Sequence, residues 1–250
     1  MDLRIQRYVV SNLRNRPKAI EIGPFVAGLD PETDSPFINY ASPLPGAAIT
    51  AADVAGLISA FAEAGRKPRL EYVTSSDPEL ENLLLTAGFT VEARHQYLIC
   101  TSETWNASAV PDGFVLEEPA TDLDRAALIA ALNEAFGEAP QATEADVARM
   151  RRNEERGGVA LTALANTVCA GGAQAMPPSG GVSEVGGIGV RETFRRRGLA
   201  GAITSEITRR LFGSGVEVAW LEAGGDDSWR VYERVGYAPA GHRLYISLEQ

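Results

Sequence analysis

The stretch that most constrains this 250-residue chain runs from Glu184 to Thr204. Val185, Ile188 and Val190 supply β-branched residues for a strand, while Gly186, Gly187 and Gly189 strip side chains from a short length of its backbone. Glycine inside a strand marks a bulge or the close approach of another chain. Thr193-Phe194 then turns the chain, and Gly198 to Ile203 opens an amphipathic helix predicted to end near Gly213. Arg195, Arg196 and Arg197 therefore stand at a helix N-terminus, where partial positive charge and unpaired N–H donors already collect. A docked anion turns that penalty into attraction, and Gly198 and Ala200 leave the first turn bare enough for phosphate oxygens to reach its N–H groups. An arginine run alone is equally a solvated basic turn, so the rest of the chain has to supply the accompanying parts.

Composition removes several classes. With 23 Lys and Arg against 33 Asp and Glu, the net charge of −10 argues against general nucleic-acid binding, which depends on neutralising phosphates. No stretch approaches ~20 apolar residues, and the opening Met1 to Val10 lacks a leader pattern, so the expectation is a cytoplasmic protein with no membrane partner. Cys100 and Cys169 lie in apolar runs and read as buried structural thiols. The two histidines, His95 and His242, have no ligand-spaced neighbours, so no metal site and no Ser-His-Asp triad is expected.

Read in order, residues 1 to 35 are weakly periodic, with strand fragments at 19–22 and 25–29. A strand at 37–41 closed by Pro43, a helix capped by Thr50 and Asp53, a strand at 69–73, a helix opened by Asp77-Pro78 and a long strand from Thr90 to Cys100 follow. The polar, aperiodic Ser102 to Pro111 suggests a boundary, giving domains at 1–108 and 109–250. The pattern then restarts: a strand at 113–117, helices capped at Thr121 and beginning near Thr143, and two strands joined at Asn166-Thr167. After the glycine-rich strand and its helix come a strand at 216–222, a helix from Ser228 to Val235 with an aspartate cap, and a hairpin or bent strand to Leu248.

Arg195-x-x-Gly198-x-Ala200, after a strand and at a helix start, resembles the pyrophosphate motif of the GNAT superfamily of N-acetyltransferases. The segment Ser228 to Tyr237, in which Tyr232 lies four residues before Gly236-Tyr237, resembles that family's second acetyl-CoA segment. One departure is Gly225, where the family often has Asn. The resemblance implies an α/β (α+β) GNAT fold, a mixed central sheet with splayed parallel strands flanked by helices. The segment Leu84 to Phe89, followed by Arg94 and Tyr97, echoes Tyr232 to Tyr237 followed by His242 and Tyr245 at one offset. The N-terminal part thus reads as a smaller, degenerate GNAT-like domain, the second half of such a domain without its first.

The resemblance further implies transfer of an acetyl group from acetyl-CoA to a primary amine of a small molecule or peptide, with no metal. Acetyl transfer needs a neutral amine, a polarised carbonyl and a proton for the departing thiolate. Pantetheine would lie along Ile188, Gly189 and Val190, and the pyrophosphate over Arg195, Arg196, Arg197, Gly198, Leu199 and Ala200, with Ser228 in the second segment. Tyr232 would be the acid, and Glu184, then Glu222, the candidate bases. Asp226 and Asp227 read as helix caps, and Glu134 and Glu138, flanking Phe136, as solvated residues of the family's substrate loop. A non-catalytic acyl-CoA-binding module is the alternative reading. Edge strands of this architecture often pair, so a homodimer is a further expectation.

Overall fold

The computed structural model describes residues 1–224 and 226–249. The chain forms two compact units: Met1–Tyr97 with Ala240–Gln250, and Leu98–Pro239. The linear boundary at 108/109 falls inside the second unit, because two strands run across the division. One is β5 (Thr90–Thr101), whose last residues belong to the second unit; the other is β11 (Ala238–Ser247), nearly all of which belongs to the first.

In the first unit the elements run α1 (Asp2–Arg14), β1 (Lys18–Ile22), β2 (Phe25–Leu29), β3 (Tyr40–Pro43), α2 (Ala51–Glu63), β4 (Arg69–Val73), α3 (Leu80–Thr86) and β5. Its strand order is β1-β2-β3-β4-β11-β5. Strands β1 to β3 form an antiparallel meander, β3 pairs β4 in parallel at Ala41 and Leu70, and β11 runs antiparallel to β4. Phe25, Ala27, Leu29, Leu70, Tyr72, Leu244 and Ile246 form one apolar face under Leu57 and Phe61 of α2 and Leu80 and Leu84 of α3. Helix α1 packs against β2, β3 and β4.

Three expectations change here. Residues 2–14 are a helix, with Ile5, Tyr8, Val9 and Leu13 buried along one stripe. Strand β3 starts at Tyr40; Phe37 lies in a turn and is 71% exposed. The first unit is also more than half a domain. Its order helix, three-strand meander, helix, strand, helix, strand repeats that of the second unit from α5 onward, including the parallel step from the meander.

That parallel pair opens after one registered position, and Gln6 of α1, 0% exposed, fills the opening. Its carboxamide donates to Ser42 Oγ and Pro43 O, both at 2.8 Å, and accepts from the Val73 N–H at 2.9 Å. Beside it lies a buried ionic cluster in which Arg69 and Arg243 both donate to Glu71.

The second unit runs from the end of β5 through β6 (Phe114–Glu117), α4 (Asp122–Ala135), α5 (Glu144–Glu155), β7 (Val159–Ala165), β8 (Val168–Ala175), β9 (Val182–Val190), α6 (Leu199–Gly213), β10 (Val218–Glu222) and α7 (Asp226–Val235). Its strand order is β5-β10-β9-β8-β7-β6, with β6 to β9 antiparallel and β9-β10 parallel. Alternation sorts the core: Leu161, Ala163, Val185, Ala219 and Leu221 face Leu199, Ile203, Ile207 and Leu211 of α6, while Ala160 faces Leu128, Ile129, Val147 and Met150 of α4 and α5. Each fully buried Leu or Ile contributes roughly 1.5–3 kcal/mol. Thr121 and Thr143 close the starts of α4 and α5 in capping boxes with Asp124 and Asp146, as Thr50 and Asp53 do for α2. The end of the chain is one strand, β11, not a hairpin.

Candidate functional site

Strand β9 controls the site. Against β8 it steps from Gly172↔Gly189 to Gln174↔Gly186, three residues on β9 for two on β8, so one extra residue bulges at Gly187-Ile188. On its other side it pairs β10 only at Val182↔Val218, Ser183↔Ala219 and Glu184↔Trp220. Beyond Glu184 the parallel strands diverge, and the far length of β9 borders a gap.

The ladder tells which amides face that gap. Arg191 N–H donates to Ala170 O at 2.9 Å, so the alternating pair Gly172/Gly189 also bonds across to β8. Val190 therefore turns its backbone N–H toward the gap, and Gly189 turns its own toward β8. Gly189, one of the three predicted pantetheine positions, also has a packing role. A Cβ at 189 would lie 3.0 Å from Leu132 Cδ2 and 3.1 Å from Ala135 Cβ, so the bare glycine lets α4 press on β9.

The exit of β9 passes through a single 3₁₀ turn, Glu192–Phe194, into the arginine loop. Arg196 has φ of 60° and Gly198 of 81°, both left-handed. Arg196 is a non-glycine residue in a conformation that costs about 1–2 kcal/mol, the kind of outlier that accumulates at binding loops. Gly198 is the N-cap of α6 and supplies no capping side chain, and the first turn holds no acidic residue. Its first N–H donors, from Leu199 and Ala200 onward, have no intrahelical partner.

The three arginines separate. Arg196 is exposed. Arg197 donates to Thr193 O at 3.4 Å and lies 5.8 Å from the Phe194 ring. Arg195 donates from its guanidinium to Val190 O at 2.9 Å and to Ala135 O at 2.8 Å.

Tyr232 and Ser228 lie one turn apart on α7, on the same helix face. Tyr232 belongs to the α6 side of the sheet, is 7% exposed, and sits edge-on to Tyr237 at 6.4 Å. Burial pushes its phenol above the ordinary value. Glu184 and Glu222 alternate with Val185 and Leu221, which face α6, so both carboxylates lie on the opposite face, with Trp220 beside Glu184. The acid candidate and the two base candidates thus lie on opposite faces of the sheet. The expectations for Gly225 and for capping by Asp226 and Asp227 lie outside the described residues and side chains.

Arg191 was not expected. Its Nε stands 3.0 Å from the Glu134 carboxylate and its Nη1 donates to Cys169 O at 3.0 Å. The only sequence signal was its place directly after the glycine-rich strand. Both cysteines are free and buried, and burial pushes each thiol pKa up, as suits structural residues. Among the described residues no group of three or more His, Cys, Asp or Glu could hold a metal ion, and no helix is long and apolar enough to cross a membrane.

A strand that bulges and leaves its parallel neighbour, feeding a bare arginine-tipped helix, is the arrangement of the GNAT fold. Residues 125–237 match the sequence profile of the Acetyltransferase (GNAT) family, and the chain has the GNAT fold, with mixed sheet flanked by helices. The chain is similar over its whole length to a GCN5-related N-acetyltransferase from Kribbella flavida, at 25% identity and a TM-score of 0.82, covering 96% of that protein. It resembles in fold a tandem GNAT protein from the clavulanic acid biosynthesis pathway, at 14% identity and a TM-score of 0.63, over 89% of this chain and 77% of that one. A GCN5-related N-acetyltransferase from Sphaerobacter thermophilus gives 18% identity and a TM-score of 0.62, over 90% and 76%. No curated protein matches.

Proposed function

We propose that this chain transfers an acetyl group from acetyl-CoA directly to a primary amine of a small molecule or peptide. The observation that carries the reading is the gap beside β9, with Tyr232 on one face and Glu184 and Glu222 on the other.

The residues present fit the cosubstrate. Arg196, Arg197 and the uncapped start of α6 form an anion cradle, and Val190 offers an amide of the kind that pairs with pantetheine. When bound, acetyl-CoA supplies an activated thioester. The Val190 N–H polarises a carbonyl placed in the gap. Glu184, or Glu222, takes the proton that an alkylammonium must lose. Tyr232 keeps its own proton at neutral pH and gives it to the departing sulfur. With acid and base on opposite faces, both proton transfers proceed without either group crossing the gap.

The first unit is a second copy of the pattern without the working parts. Where α6 begins at bare Gly198, α2 begins with Thr50 and Asp53 bonded to each other, which places a carboxylate at the turn a phosphate would need. The net charge of −10 favours a cationic acceptor.

Calorimetric titration with acetyl-CoA tests the reading, native chain beside an R196E, G198E double variant. Binding that disappears in the variant supports it; no binding by the native chain removes it. Binding with no thiol release across a panel of amines leaves the non-catalytic module.

A further inference from the structure

Two arginines at the exit of β9 grip the last turn of α4. Arg195 donates to the carbonyl of Ala135 and Arg191 pairs with the carboxylate of Glu134. The last carbonyls of a helix have no intrahelical partner and carry partial negative charge, so cations there are favoured twice, by hydrogen bond and by dipole. The other arm of each side chain holds the inner sheet: Arg195 at Val190 O, Arg191 at Cys169 O. Gly189 completes the joint by letting Leu132 and Ala135 approach the backbone. Beyond it, residues 136–143 lead to α5 and begin with Phe136, 59% exposed, and exposed Glu138, an aromatic ring and a carboxylate of the kind that receive an ammonium group.

We propose that Arg195 is a positioning residue for the acceptor loop, residues 136–143, and not a pyrophosphate ligand. The proposal rests on the acetyltransferase reading for the purpose of the loop, but not for its mechanics. Two of the five N–H donors of Arg195 are committed to the Val190 and Ala135 carbonyls, which fixes its side chain against the end of α4. Arg196, exposed on a left-handed backbone, carries the phosphate-directed charge instead. The same strand that faces the thioester through Val190 thereby sets where the amine-binding loop starts.

The test combines calorimetry with acetyl-CoA and hydrogen exchange over residues 133–143 in the native chain, R195M, R195K and R196E. In R195M, acetyl-CoA affinity stays within about 3-fold of native, while loop exchange rises about 10-fold, the loss expected for one charge-assisted hydrogen bond. R195K restores part of the protection, and the rise stays confined to this segment. R196E shows the reverse, with affinity at least about 10-fold weaker and native loop exchange. An R195M variant that loses acetyl-CoA affinity 10-fold with an unchanged loop overturns the proposal, as does a rise in exchange spread over β9 and α6. If the native chain binds no acetyl-CoA, the functional reading fails, and the exchange arm alone decides whether Arg195 positions the loop.

Discussion

At the scale of single residues, the proposed general acid is Tyr232. Its ring is buried with Tyr237, whose hydroxyl shares a 2.7 Å hydrogen bond with Thr208, so the acid sits on a fixed aromatic platform. Tyr232→Phe removes the proton and keeps the ring; kcat should fall about 100-fold, within the range for a general acid, with acetyl-CoA affinity unchanged. Because burial raises the phenol pKa, the protonated form persists beyond the ordinary range. A pH–rate profile should therefore show no alkaline decline assignable to Tyr232 below about pH 10. The position of this residue was legible from its four-residue spacing to Gly236. Arg195 shows the opposite case: its place in the motif was plain, but nothing in a linear pattern says that Ala135 O lies within reach of its side chain.

Among the elements, α6 carries the proposed phosphate cradle at one end and an ionic cluster in its last turns. Arg209 and then Arg210 bond to Glu206 and hold its carboxyl down to about 2. A carboxyl depressed in the folded state contributes stability above the unfolded value, near 4.3, and loses it as pH falls toward the folded one. Glu206→Gln should accordingly lower Tm at pH 7, with the gap to native narrowing by pH 3; a gap that widens on acidification would refute this. Where α4 meets β9, Gly189→Ala should cost about 1–3 kcal/mol by overpacking against Leu132 and Ala135, read by denaturant titration. The helices with Thr and Asp three apart were legible because their start signals are local. Helix α1 was not, since it has no side-chain cap and its buried stripe includes Gln6. A buried glutamine makes sense only once β3 and β4 are beside it, and that adjacency spans 67 residues between Gln6 and Val73.

For the whole molecule, the repeat of one element order gives two openings between parallel strands, and the proposed function uses one of them. In the first unit a carboxamide from the protein makes the amide bonds that a pantetheine would make. Calorimetry should therefore give one acetyl-CoA per chain, and Gln6→Ala should lower Tm by leaving Pro43 O and the Val73 N–H unmatched, without creating a second site of comparable affinity. A stoichiometry of two would refute the assignment. The repeat also surfaced in the sequence, but only at Leu84 to Tyr97, where a helix end and a strand keep their spacing; the meander and α1 have diverged too far in side chains for their shared topology to show.

Placing β11 in the first unit has a consequence for biosynthesis. Strand β4 lies between β3 and β11, with Tyr72 opposite Leu244 and Leu70 opposite Ile246. A ribosome delivers β4 long before β11, and every residue of the second unit is made in the interval. Through that time β4 exposes an unpaired apolar edge, a surface prone to aggregation. The N-terminal half thus cannot mature as a unit during translation. It completes its sheet only when β11 emerges, which makes that strand the step that commits the first unit to its fold.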